Sequence, residues 1–338
     1  MKCKCLLPLS LMIVAMIVAT SSCKKNENNS STDSNNPDNP TPSVNCPPGA
    51  INGLFTVNAD GDQVYFSKGN LQYQASSHTW RFAEHQWDFV GSLEVYHGNP
   101  DGTVEGSSNH LISPTYSGWI DLFSWGTSGK EHGAICYQPE SVDYENNKYY
   151  AYGDPYKDLN DETGDADWGC NAISNGGNTS ETWHTLKAME WKYLMDQRIT
   201  PSGIRYVQAQ IMGVFNQDVI NGIVILPDNW NPEIFSFSAE NGYGHYSSNV
   251  LSVEEWNTLE KAGAVFLPAA GRRINDALEA YIEYPNERGC YWSASHGTTH
   301  ISASDVTFFN NMLNVNTGPG LERKVGHSVR LVQYKLHN

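Results

Sequence analysis

Charge is scarce in this chain. Only 17% of its 338 residues are Asp, Glu, Lys or Arg, and 37 acidic side chains outnumber 21 basic ones for a formal net charge of −16. A sparse, acidic surface repels phosphate backbones, so no nucleic acid partner is expected. Cysteine is thin too, with seven in all and no CxxC or Cys/His spacing that would suggest zinc. Gly-x-Ser-x-Gly elbows, phosphate-cradling Gly-Lys-Ser loops and His-Glu-x-x-His helices are missing. Without those signatures the chain is not expected to be an enzyme. Paired carboxylates such as Glu254 with Glu255, or Asp165 with Asp167, lie too close in sequence to flank a glycosidic bond across a cleft. Long apolar runs are confined to Leu6–Ala19, whose fourteen residues fall short of a bilayer span.

That run follows Lys2 and Lys4 and has the length of a signal-peptide core, so residues 1–22 are expected to direct export. Cys23 comes next, after the small residues Thr20, Ser21 and Ser22 and before the polar Lys24–Asn28. This context resembles a bacterial lipoprotein signal, although Thr20 stands where the pattern prefers an aliphatic residue. The resemblance implies lipidation of Cys23 and anchoring in the outer membrane or at the cell surface. Acyl chains at about 0.8 kcal/mol per buried methylene suffice for that, so the lipid would be the sole membrane contact. The segment 23–50 is mostly Asn, Ser, Asp, Thr and Pro, too polar to offset its ordering entropy. It reads as a tether reaching about 25–30 Å as a coil, ahead of one domain over 51–338.

What the domain has in quantity is aromatic and small polar side chains: 10 Trp, 18 Tyr and 29 Gly. That palette suits a glycan or a protein ligand, and it equally suits loops that merely join many strands. Short runs rich in β-branched and aromatic residues, bounded by Gly, Pro or Asn, predict strands. They occur at 53–57 and 64–67 around Asp60-Gly61, at 70–73, 80–82, 87–90 and 119–125, then at 204–212, 222–226 and 264–267. The stretch 289–334 contributes three or four more antiparallel strands. Only two helices are expected. Thr185 is placed to cap one reaching Gln197, with Leu186, Met189, Glu190, Tyr193 and Leu194 on one side. Ser252-Val-Glu-Glu255 is a capping box opening another, which Gly263 stops. Few helices among many short strands predict an α+β fold with antiparallel sheets.

Cys46, Cys136, Cys170 and Cys290 follow the lipidated cysteine, and export permits disulfides. Cys170 and Cys290 are the expected pair, because both adjoin aromatic-rich segments. The polar stretch 127–166 carries Asp158, Asp161 and Asp165, oxygen donors of the kind calcium takes. It lacks the EF-hand pattern, and a solvated acidic loop is the other reading. His296 and His300 have a metal-like spacing, but Gly297 and the preceding strand argue for a solvent loop.

Trp183-His-Thr-Leu-Lys-Ala-Met-Glu-Trp191, Leu267-Pro-Ala-Ala-Gly-Arg, Tyr291-Trp-Ser-Ala-Ser and Ser328-Val-Arg-Leu-Val together resemble the bacterial C-type-lectin-like fold. That group includes formylglycine-generating-enzyme-like domains, the Fibrobacter succinogenes major paralogous domain and lipoproteins of Bacteroidetes. The resemblance covers about 51–334. It implies that Trp191, Trp292, Val329 and Leu331 are core residues, that the Tyr-Trp-Ser strand pairs with the terminal strand, and that Arg330 makes a buried hydrogen bond. It also implies a ligand-binding face on the C-terminal loops, diversified in the variable proteins of diversity-generating retroelements. Here that face would carry His296, His300, Asn310, Asn311, Asn314 and Asn316. The reactive cysteine pair of the formylglycine-generating enzymes is missing, since Cys290 alone lies in the last hundred residues. The calcium-dependent sugar motifs of animal lectins are incomplete as well. The expectation is a non-catalytic binding or adhesion module of the cell envelope. The alternative is a structural subunit of an envelope or fimbrial assembly.

Overall fold

The computed structural model describes residues 46–90, 115–130, 150–214, 219–238, 240–241, 244–275 and 280–336. The signal segment, Cys23, most of the tether, and Cys136 lie outside them. The described chain is mostly β-sheet with two short α-helices, an α+β arrangement.

Strands β1 (Phe55–Thr56) and β2 (Gln63–Phe66) form the first hairpin. Its turn is set by Asn58, whose side-chain oxygen accepts from the Asp60 and Asp62 amides at 3.1 and 3.0 Å. β3 (Leu71–Gln74) pairs with β4 (Thr79–Phe82) and, on its other edge, with β5 (Trp119–Ile120). Residues 87–90 form no strand. The Val90 amide is drawn to the Asp121 carboxylate at 2.7 Å, and Trp87 stacks on His85 instead of joining a ladder.

The first helix starts later than expected. Thr185 belongs to β6 (His184–Thr185), while α1 runs Ala188–Lys192 and widens into a π-turn through Gln197. The Glu190 carboxylate accepts from the Lys187 amide at 2.7 Å and so closes the helix start. Trp191, Leu194 and Met195 are buried, and Met189 is 62% exposed, so the apolar face is rotated from its expected setting. The second helix, α2 (Val253–Lys261), matches its signals. The Ser252 side chain accepts from the Glu255 amide, and Gly263 at φ 94° ends the helix.

β7 (Tyr206–Met212), β8 (Val219–Ile225), β9 (Val250–Ser252) and β10 (Val265–Pro268) make a sheet in the order β10-β8-β7-β9. β11 (Arg272–Asn275) and β12 (Ala280–Glu283) form a hairpin. β13 (Arg288–His296), β14 (Ser302–Phe309) and β15 (Met312–Glu322) form a meander, and β16 (Leu331–Tyr334) inserts between β2 and β6. The stretch 306–318 is therefore two strands reversing at Asn310-Asn311.

Three aromatic-rich cores result. Phe55, Phe66, Trp191, Tyr291 and Phe308 pack in one, and Trp80, Phe123, Trp168, Trp292 and Leu331 in the second. Trp256, Phe266, Ile211 and Leu251 belong to the third. The Tyr-Trp-Ser strand does meet the terminal segment, though by a single parallel bridge. Trp292 donates its amide to the Ser328 carbonyl, and Ser328 donates to that of Cys290, each at 3.0 Å. Arg330 is buried and donates to the side-chain carbonyls of Gln86 and Asn70, and desolvation lowers its pKa to about 10.

Cys170 and Cys290 are not bonded to each other; both are free thiols. Cys290 accepts from the Thr307 hydroxyl, and Cys170 donates to the Asp165 carbonyl. Burial pushes both thiols up to about 12, which makes them inert packing residues.

His327 is fully buried against Trp292, ring centroids 4.0 Å apart, and among the described residues neither ring nitrogen has a hydrogen-bond partner. Desolvation, aided by Arg272 and Arg288, holds its pKa well below 6.5. The unfolded chain therefore takes up a proton that the folded chain refuses, and stability falls as pH drops below 6.5. Asp121, raised by burial to about 7, acts oppositely, since its stabilising effect is present at low pH and is lost through pH 7. His327→Phe isolates the imidazole. Between pH 6.5 and 5 the wild type should lose stability relative to this variant, at a slope approaching about 1.4 kcal/mol per pH unit. Parallel pH profiles from urea titrations would refute this.

Candidate functional site

The expected recognition residues do not form one site. His296 and the exposed His300 lie at one end of the meander, whereas Asn310 and Asn311 lie at the other, beyond the eight residues of β14. At about 3.3 Å per residue that is roughly 25 Å. β14 itself is buried from Ser302 to Phe308 and offers no face to a ligand. Asn314 donates to Asn316, which donates to Asp305 at 2.9 Å. Burial raises the Asp305 carboxyl to about 6 despite the donors from Thr307 and Asn316. The His296 ring is spent on the Gly297 carbonyl, 2.6 Å away, and on an edge contact with Tyr156.

The carboxylates proposed for calcium are also dispersed. Asp158 accepts from the His296 amide at 3.0 Å and faces Lys187, and Asp161 accepts from the Asp158 amide at 3.1 Å. Asp165 contributes its backbone carbonyl to Ser128 and Cys170. Among the described residues no group of three His, Cys, Asp or Glu side chains is placed to hold a metal ion. The Asp158 and Asp161 carboxylates are thus spent on holding loop backbone.

Of the expected residues, only Asn310 lines the cleft of about 550 Å³ formed with Gln210, Asn221, Tyr246, Tyr284 and Arg288. Its floor is a cross-strand amide pair: Gln210 on β7 faces Asn221 on β8 and donates to it at 2.9 Å. Asn286 anchors this floor, because its oxygen accepts from the Asn221 amide and its nitrogen donates to the Val219 carbonyl, both at 2.7 Å. One wall is Tyr246, whose amide donates to Asn310 and whose hydroxyl donates to the Glu287 carbonyl, each at 3.0 Å. Burial keeps that phenol neutral by raising its pKa.

The cleft is also lined by the turn from β12 to β13, where Tyr284 and Asn286 adopt left-handed φ values of 53° and 60°. Asparagine tolerates that region, but tyrosine rarely enters it. The turn is held there by the Asn286 amide on the Ala269 carbonyl at 2.7 Å and the Arg288 amide on Tyr284 at 3.0 Å. Tyr284 is consequently 46% exposed beside the cleft. The Arg288 guanidinium lies between two rings, 4.7 Å from the centroid of Tyr284 and 5.2 Å from that of Phe309. A rigid amide floor, aromatic walls and one cation can orient a polar ligand through hydrogen bonds and ring stacking.

Most of this cleft was missed in the sequence. Its residues are scattered over a hundred positions. Two local signals were available, namely the amides interrupting Val-Gln-Ala-Gln-Ile and Val-Ile-Asn-Gly-Ile, and the compact Tyr284-Pro-Asn-Glu-Arg288 turn. Comparison with protein-family models, curated proteins and solved structures finds no match to this chain.

Proposed function

We propose that this protein is a lipid-anchored module of the cell envelope that binds a glycan or protein ligand without catalysis, in the cleft between Tyr246 and Tyr284. The observation that carries the reading is the make-up of that cleft: paired amides below, rings beside, and a side-chain scaffold fixed before any ligand arrives. Such preorganisation reduces the ordering cost of binding. One carboxylate, Glu287, is among its lining residues, whereas hydrolysis of a glycosidic bond by the usual route uses two. The C-type-lectin-like reading is supported by the buried Trp191, Trp292 and Leu331 and by the return of the terminal strand to β2. Lipid anchoring rests on Cys23 and its flanking residues alone. Among the described residues no helix is long and apolar enough to cross a membrane.

A glycan array and a pull-down with the purified protein test the reading. Gln210→Ala and Tyr284→Asn, the latter chosen because Asn accepts a left-handed backbone, should each weaken binding about tenfold, or 1.4 kcal/mol. Asn311→Ala and Asn314→Ala, outside the cleft, should leave it unchanged. The reverse pattern would move the site back to the tip and outer face of the last hairpin.

A further inference from the structure

We infer that the ligand of this cleft carries a carboxylate, received by Arg288, on a hydroxylated body; the chemical class is an acidic sugar, such as a uronate-bearing oligosaccharide. The inference rests on the binding function proposed above and narrows it.

Arg288 differs from every other arginine of the chain. There are eight, all within the described residues. Arg198 and Arg272 are ion-paired with Asp228 and Glu283. Arg81, Arg205 and Arg330 donate to the Gln72 side chain, the Met195 carbonyl and the Gln86 side chain. Arg273 and Arg323 donate to the carbonyls of Asp121 and Ser302. Among the described residues the Arg288 side chain makes no hydrogen bond and no ion pair, and it lies over the rings of Tyr284 and Phe309. Seven arginines thus have an acceptor for the guanidinium, and Arg288, at the rim of a cleft in a chain of net charge −16, has none among the described residues. Its five N–H donors keep a planar fork that matches a carboxylate in bidentate fashion.

The surroundings narrow the anion. Glu287 is exposed and lines the same cleft, so a singly charged carboxylate is favoured over a dianionic phosphate. Gln210, Asn221 and Asn310 supply amides for hydroxyl groups, and the Tyr284 ring supplies a face for the apolar side of a pyranose. An acidic peptide would satisfy the guanidinium yet leave this amide floor without a matching set of hydroxyls.

The test is calorimetric titration of the full chain with tetragalacturonate and with other uronate- and sialate-terminated oligosaccharides, each beside its carboxyl-reduced counterpart. At least one acidic member should bind, and reduction of its carboxylate should weaken binding tenfold or more. Arg288→Met preserves stem packing and should abolish the preference for the acidic form. Arg288→Lys keeps the charge but not the fork and should lose most of the affinity. Thermal melts of each variant report folding separately. Equal binding of acidic and reduced sugars, or unchanged binding by Arg288→Met, overturns the carboxylate inference while the glycan reading stands. Binding of an acidic peptide in preference to every sugar also overturns it. Silence toward all sugars and peptides removes both readings.

Discussion

Replacing Trp292 by alanine is expected to destabilise the fold by about 3–5 kcal/mol, the range for truncating a fully buried aromatic. Three separate losses combine there. The indole is completely buried in the second core among Phe123, Val329 and Leu331. Its N–H donates to the Phe123 carbonyl at 2.6 Å, so truncation leaves a buried acceptor with one partner fewer. Its face covers His327, whose unpartnered nitrogens would then adjoin a void. Urea unfolding measures the cost directly. Trp292→Phe, which keeps the stack and loses the donor, should fall well short of the alanine variant. A loss below about 1 kcal/mol for alanine would mean that this part of the core can collapse and that Trp292 does not organise it.

Asp167→Ala comes second, at about 3 kcal/mol. One carboxylate holds two elements together: it accepts from the Thr185 hydroxyl at 2.6 Å, the Thr185 amide at 2.8 Å and the Gly169 amide at 3.3 Å. Hydrogen bonds to a charged group contribute about 1.5–3 kcal/mol each and are not additive within one network. Alanine strands all three donors around a buried site. Burial also raises the Asp167 carboxyl above its ordinary pKa, so ionisation is itself costly there. Asp167→Asn removes that cost while retaining one acceptor oxygen, and should lose less than half as much stability. The Thr185 amide is the sensitive reporter. Its hydrogen exchange should accelerate in Asp167→Ala, and an unaltered exchange rate would sink the account. Because Thr185 pairs with Leu331 across β6 and β16, faster exchange should extend to that strand.

The strands were legible because their signals are local. Asp60-Gly61 marks the first hairpin, and Ser252 with Glu255 marks α2. The runs expected at 204–212 and 222–226 fall on β7 and on the second half of β8, which starts three residues earlier, at Val219. The failures share a different cause. Thr185 looks like a helix cap until a carboxylate eighteen residues earlier captures both its donors. Trp87 to Val90 has strand composition, yet Asp121 takes the Val90 amide. Cys170 and Cys290 were paired on the strength of aromatic neighbours, and Trp168 and Trp292 do share the second core, yet a common core does not bring the sulfurs together: Cys170 turns to the Asp165 carbonyl and Cys290 to Thr307. The cleft depended on register as well. Gln210 faces Asn221 because β7 and β8 pair in that alignment, and a slip of one strand by one residue would put the two amides on opposite faces of the sheet.

The insertion of β16 between β2 and β6 bears on how this polypeptide reaches its native state. Residues 331–334 join partners that appear about 270 and 150 positions earlier in the chain, so the first sheet stays split until this strand arrives. Loop closure over such separations slows folding. Until β16 docks, β2 and β6 lack the strand that lies between them, and Val332 is missing from its place beside Phe66 in the first core.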